Sequence, residues 1–143
     1  GQGVWRGRWG DCRRRLERQR RHYLDEHLQH YKLHGTMFLI ILFLDRNPGS
    51  SQDNLCEYLL IDKSGVARKC RRLEDLGYIK REQSPEDKRQ NSLFLTENGQ
   101  KLLPVIRELL SNWREIVTKD MDENDQKELI RLLELMEKNA LEI

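Results

Sequence analysis

Apolar side chains recur at helical spacing through most of the chain and at strand spacing in one short region. Leu16, Tyr23, Leu24, Leu28 and Tyr31 are sparse apolar positions in a charged run and predict a helix over residues 13–31. The run Met37–Leu44 is apolar on every side, so periodicity leaves a buried helix and a buried strand both open. Asn47-Pro48-Gly49 closes it with a turn. Ser50-Ser51-Gln52-Asp53 fits a capping box, with a hydroxyl at the N-cap and a carboxylate three residues on. Leu55, Cys56 and Leu59 give the short helix that follows its apolar face. Asp62 is a good N-cap for a helix over residues 63–76, with Gly77 as its stop. At about 100° per residue, Val66, Cys70 and Leu73 fall in one narrow stripe. The opposite face carries Ser64, Gly65, Arg68, Arg71 and Arg72, with Lys69 at its edge and nothing apolar.

The period then changes to two. Tyr78-Ile79-Lys80-Arg81-Glu82 and Ser92-Leu93-Phe94-Leu95 alternate around a polar loop over residues 83–90 that contains Pro85, which predicts a β-hairpin with a basic tip. Thr96 caps a long helix with two adjacent stripes, Leu102, Ile106, Leu109, Trp113 and Ile116 beside Leu103, Leu110 and Val117. Pro104 lies inside it, removes one backbone hydrogen bond and is expected to bend it. Asp122 caps a last helix striped by Leu129, Leu132, Leu133, Met136 and Ala140. One small central domain cannot cover both wide terminal stripes, and a second copy of the chain about a two-fold axis is the expected cover.

Length and charge narrow the class. The chain has 143 residues, enough for about one domain with a real core. Its net charge of +2 conceals a pattern: +5 over residues 1–34, −2 over 35–61, +3 over 62–95 and −4 over 96–143. Basic charge gathered in two blocks points to a polyanionic partner for part of the chain. The longest apolar run has eight residues, far below the roughly 20 that span a bilayer, so no membrane partner is expected. Cys12, Cys56 and Cys70 are odd in number and widely spaced, which fits a reducing cytoplasm better than a disulfide framework. No signal segment opens the chain, and residues 1–12 show no periodicity and read as a peripheral arm or a cloning remnant.

A short helix, a tight turn, a basic helix and a basic hairpin make a winged helix-turn-helix. The major groove of DNA, about 12 Å wide, admits one helix, and a compressed minor groove suits an arginine on a thin loop. The stretch from Asp62 through Ile79, with Arg81, the wing Ser84-Pro85-Glu86-Asp87-Lys88-Arg89 and Leu95-Thr96-Glu97-Asn98-Gly99, resembles the recognition helix and wing of the MarR family of transcription regulators. Pro48-Gly49-Ser50-Ser51-Gln52-Asp53-Asn54-Leu55 resembles the segment that opens the family's first helix of this motif. The resemblance covers about residues 18–140, and its Asp-x-Arg and Leu-Thr-x-x-Gly elements are its most specific parts.

The resemblance implies a mostly α fold with a small β-hairpin wing, dimerising through N- and C-terminal helices into a triangular shape. Residues 13–34 and 96–143 are then dimerisation helices around a winged helix-turn-helix at 35–95. It implies a homodimeric repressor of double-stranded DNA on a pseudo-palindromic operator, released by a ligand or oxidant, with no cofactor and no enzymatic activity. By position, Ser64, Gly65, Arg68 and Arg72 would face the major groove. Arg89 would enter the minor groove, and Asp87 would hold the wing's shape. Lys69, Arg71, Lys88, Gln90, Ser51 and Gln52 would touch or flank phosphates. Gly65 departs from the family, where a hydroxyl residue is common, and costs the helix about 1 kcal/mol against alanine.

Other clusters carry two readings each. Arg13-Arg14-Arg15 and Arg18, Arg20 and Arg21 are a solvated helix face or ion pairs at a dimer interface rather than a DNA contact. His22, His27, His30 and His34 lie near the end of the first helix; His27, His30 and His34 share one face at i, i+3 and i+7 with Glu26 beside them, but nothing elsewhere completes a metal shell. Arginines beside Cys12 would favour its thiolate, whereas Cys56 and Cys70 sit on inward stripes. Trp113 and Tyr31 serve as core or line an effector pocket. No phosphate loop, nucleophile elbow or metal motif is present. The alternatives are a winged-helix protein-interaction module and a metal- or redox-responsive regulator.

Overall fold

The computed structural model describes residues 6–83 and 91–143, and the chain divides into two compact units, Gly1–Leu109 and Leu110–Ile143. The first unit is built from helices α1 (Arg8–Leu28), α2 (Met37–Arg46), α3 (Gln52–Leu59) and α4 (Lys63–Asp75), strands β1 (Ile79–Gln83) and β2 (Asn91–Leu95), and the start of α5 (Glu97–Val117). The end of α5 and helix α6 (Glu123–Leu141) belong to the second unit. Among the described residues no helix is long and apolar enough to cross a membrane.

The ambiguous run Met37–Leu44 is a helix, and it is the centre of the core. Met37, Phe38, Ile40, Ile41 and Leu44 of α2 are all buried, with Ile40 and Ile41 fully so. Leu24 and Leu28 of α1, Leu33, Leu55 of α3, Val66, Cys70 and Leu73 of α4, Ile79, Leu93 and the α5 residues Leu102, Leu103 and Ile106 complete it. Arg107 of α5 pairs with Asp45 of α2 at 2.6 Å, and the Gly35 N–H donates to Asp25 Oδ1 at 2.9 Å, which fastens the connection after α1.

Two helix starts differ from the sequence reading. Helix α1 begins at Arg8, not near residue 13, so residues 8–12 are helical. They lack an apolar stripe, but Asp11 lies in the first turn, pairs with Arg14, and suits the positive end of the helix dipole. Helix α3 begins one residue later than expected. Ser50 is engaged elsewhere: its backbone pairs with Leu93, and its hydroxyl donates to the Asn47 carbonyl at 2.7 Å. Ser51 is therefore the cap, accepting from the Asn54 N–H at 3.2 Å while Asn54 Oδ1 accepts from the Ser51 N–H at 2.9 Å.

In the second unit Asp122 caps α6, accepting from the Asp125 N–H at 2.7 Å. No residue of α6 is buried, and Leu129, Leu132, Leu133 and Met136 of the expected stripe are 41–48% exposed. Of the α5 stripes, Leu102, Leu103 and Ile106 are buried, whereas Ile116 and Val117 are exposed.

Candidate nucleic-acid interface

Helix α3 ends because Leu60 takes a left-handed conformation (φ 57°) while its N–H donates to the Cys56 carbonyl at 2.9 Å. Two residues later Asp62 opens α4, accepting from the Gly65 N–H at 2.7 Å and from the Ser64 hydroxyl at 3.3 Å. Lys63 reaches back to Asp53 at 3.8 Å, across the same turn. The inner seam of α4, Val66, Cys70 and Leu73, is fully buried. Burial of such side chains contributes about 1.5–3 kcal/mol each and fixes which face is left outside. Burial also pushes the Cys70 thiol up to about 11, against the nearby Arg81 guanidinium and with the Glu74 carboxylate. The two inward cysteines are not alike: Cys70 is buried and Cys56 half-buried.

The outer face carries Ser64, Arg68, Arg71 and Arg72, all exposed, with Lys69 half-buried at the edge. Among the described residues none of Arg68, Lys69, Arg71 and Arg72 is in an ion pair, so four neighbouring positive charges on one helix remain open to an external anion. Gly65 falls about 20° from Arg72 around the helix, at the edge of this face, but offers no surface there. It is buried, and a Cβ there would stand 2.7 Å from Ile61 Cγ2 and 2.8 Å from Asp62 Oδ1. The glycine is set by the tightness of the cap.

Strands β1 and β2 pair antiparallel in the register Ile79↔Leu95 to Gln83↔Asn91. The hairpin is tied to the preceding turn by an antiparallel bridge: Leu93 N–H donates to the Ser50 carbonyl and Gly49 N–H to the Leu93 carbonyl, both at 2.9 Å. Arg81 of β1 binds Glu74 of α4 with two hydrogen bonds of 3.1 Å each. On its other side, with the Gln52 amide turned so that both groups are satisfied, Gln52 Oε1 accepts from Arg81 at 2.7 and 3.3 Å. At the hairpin's far end Thr96 caps α5: its hydroxyl donates to the Gly77 carbonyl at 2.6 Å and accepts from the Gly99 N–H at 3.1 Å. Asp87, Lys88, Arg89 and Gln90 lie outside the described residues.

Known proteins share this arrangement. A family model described as the MarR family matches residues 31–90. A MarR transcriptional regulator from Methanosarcina mazei Go1 superposes with a TM-score of 0.84 at 33% identity, over 93% of this chain and 96% of its own. The chain belongs to the MarR family. The HTH-type transcriptional regulator BilQ of Clostridioides difficile (strain CD3) is 28% identical over 129 residues, 89% of this chain and 87% of BilQ. The same fold, at 20% identity and a TM-score of 0.79, occurs in a MarR variant from E. coli solved in complex with operator DNA; the match covers 89% of this chain and 91% of that one. Members of the family are transcription regulators, not enzymes.

Against this MarR-family frame, the sequence-predicted residues fall into groups. Ser64, Arg68, Lys69, Arg71 and Arg72 come together on α4, and Ser51 and Gln52 sit at the start of α3. The histidines do not share a helix face: α1 ends at Leu28, His30 lies in a 3-10 turn, and Lys32 (φ 63°) turns the chain before His34. Among the described residues no group of three His, Cys, Asp or Glu side chains is placed to hold a metal ion. Cys12 is exposed, with Arg15 donating to its Sγ at 3.7 Å. The Tyr31 carbonyl accepts from the Tyr78 hydroxyl at 3.0 Å, and burial raises the Tyr78 pKa. Sequence reasoning missed the engagement of Gln52, Arg81 and Glu74, because residues on two helices and a strand share no single period. It also missed the reason for Gly99, whose missing side chain admits the Tyr78 carbonyl.

Proposed function

We propose that the chain is a cytoplasmic, sequence-specific double-stranded DNA-binding repressor, homodimeric on a pseudo-palindromic operator and released by a ligand or oxidant. The observation that carries this reading is the row of cations on α4 with no ion-pair partner among the described residues, held outward by a seam with no exposure. Arg68 and Arg72 reach base edges with Ser64 beside them, and Lys69 and Arg71 neutralise phosphates. Ser51 and Gln52 meet the backbone at the start of α3. Arg89, Lys88, Gln90 and Asp87 are assigned to the wing contact on the sequence alone. That a MarR variant from E. coli with the same fold was solved in complex with operator DNA supports DNA as the partner.

Dimerisation through 13–34 and 96–143 is supported by the apolar stripe of α6, which its own unit leaves uncovered. Two copies then present their α4 helices to successive major grooves about 34–36 Å apart.

The test is selection of bound sequences from a random duplex pool, followed by titration at several salt concentrations. The expected result is a pseudo-palindromic site, with log affinity falling against log salt by about 0.9 per phosphate contacted. Arg72→Ala and Arg68→Ala are each expected to weaken binding by about 1–3 kcal/mol, while Lys69→Ala lowers the salt slope by about one. Binding that is weak and insensitive to salt refutes the reading in favour of a protein-interaction module.

A further inference from the structure

Arg81 is the one guanidinium of the hairpin's described residues, and it points back into the motif. Its Nε and one terminal nitrogen hold both oxygens of Glu74 at 3.1 Å. Arg81 and Glu74 are each about one-third exposed or less, 32% and 27%, so the pair is partly shielded from water. The same guanidinium donates to Gln52 Oε1 at 2.7 and 3.3 Å. Three elements therefore meet on one side chain: the first turn of α3, the last turn of α4 and the first strand of the wing.

Each contact constrains a different part of the DNA-facing surface. The bidentate pair fixes the angle between the hairpin and α4, because a planar fork on a carboxylate tolerates little rotation. The Gln52 contact fixes an amide. With its oxygen occupied by Arg81, the amide has only N–H donors left to offer, and these suit a phosphate oxygen. From this geometry we infer that Arg81 and Glu74 are positioning residues for DNA recognition: a clamp that holds the wing against the recognition helix and turns the Gln52 amide donors outward. The inference rests on the DNA-binding reading above and adds to it two residues that touch no nucleic acid.

The two explanations of Glu74 have opposite signs. If Glu74 matters only through its charge, removing that charge near a polyanion tightens binding. If Glu74 holds the clamp, Glu74→Gln weakens binding, because the amide keeps one acceptor oxygen and sets an NH2 donor against the second N–H of the fork.

The experiment measures affinity for a duplex taken from the random-pool selection, by fluorescence anisotropy at fixed salt, with circular dichroism to confirm the native helix content of each variant. Glu74→Gln is expected to bind about tenfold more weakly, the loss of one charge-assisted contact. The double variant Glu74→Arg with Arg81→Glu is expected to recover only part of that loss: it restores an ion pair of reversed polarity at the same net charge, but the Gln52 amide then donates to the introduced carboxylate and turns its oxygen to the DNA. A Glu74→Gln variant that binds as tightly as the parent, or more tightly, overturns the clamp while leaving the DNA-binding reading intact. If Glu74→Gln lowers helix content, Gln52→Leu replaces it, and unchanged binding there overturns the clamp equally. Failure of the unmodified protein to bind any duplex overturns the DNA-binding reading and the clamp together.

Discussion

Replacing Gly99 with alanine places a methyl carbon 2.1 Å from the backbone oxygen of Tyr78 and 3.1 Å from its carbonyl carbon. A carbon comes no closer than about 3.3 Å to a carbonyl oxygen, so α5 must retreat by roughly 1.2 Å. That retreat breaks the junction it starts from. The Thr96 N–H donates to the same Tyr78 oxygen at 3.0 Å, and the Thr96 hydroxyl donates to the Gly77 carbonyl at 2.6 Å. Each hydrogen bond is worth about 1 kcal/mol net, and the lost cap costs about 1 kcal/mol more. Alanine's better helix propensity returns about 1 kcal/mol. The net expectation is a loss of about 2 kcal/mol, or roughly 4–8 °C in melting temperature for a chain of this length. Thermal denaturation followed by circular dichroism at one protein concentration measures it. Gly10→Ala serves as the contrast: it too lies in a helix, but its Cβ meets only the flexible end of Arg14 at 3.3 Å. That variant is expected to melt no lower than the parent. A Gly99→Ala protein that melts at or above the parent temperature refutes the steric argument.

Three further outcomes follow from single sites. Leu60 is 90% exposed in a left-handed conformation, so Leu60→Asn loses no packing and is expected to stabilise by up to about 1 kcal/mol; a lower denaturant midpoint contradicts this. Gly65→Ala gains helix propensity but drives a methyl group onto Ile61 and the capping carboxylate of Asp62, so it is expected to be destabilising by about 1 kcal/mol in denaturant titration, against the gain that propensity alone predicts. The Cys70 thiol is raised from 9.0 to about 11, so folded and unfolded chains are both protonated below pH 9 and the unfolded chain ionises first above it. Stability is therefore lost as pH rises from 9 to 11, by about 2 kcal/mol, and Cys70→Ala is expected to flatten that slope whatever it does to the neutral-pH value.

The elements carried by local chemistry were legible in the sequence. Asp62 and Asp122 cap where expected, Gly77 (φ 82°) stops α4, and the alternation at Ile79 and Leu93 marks the buried side of the hairpin. The outward row Ser64, Arg68, Arg71 and Arg72 likewise needed only spacing, whereas the MarR-type wing was recognised by resemblance of its motifs. What could not be read depends on contacts between distant segments. Met37–Leu44 has no polar face to give it a period, because its half-buried positions Leu39, Leu42 and Phe43 are as apolar as its buried ones. Ser50 looked like a cap until its backbone was taken by Leu93. Gly65 looked like a missing base contact, and its burial against Ile61 and Asp62 is visible only in three dimensions. The histidine spacing presumed a helix that in fact ends two residues before His30.

The complete burial of Ile40 and Ile41 makes the central amides of α2 an internal clock. A helix whose Ile40 and Ile41 never meet solvent exchanges its central backbone hydrogens for deuterium only when the whole first unit opens. Their exchange rate therefore reports global opening directly, without denaturant. Any molecule that favours the native state slows that rate in proportion to its occupancy, wherever on the surface it binds.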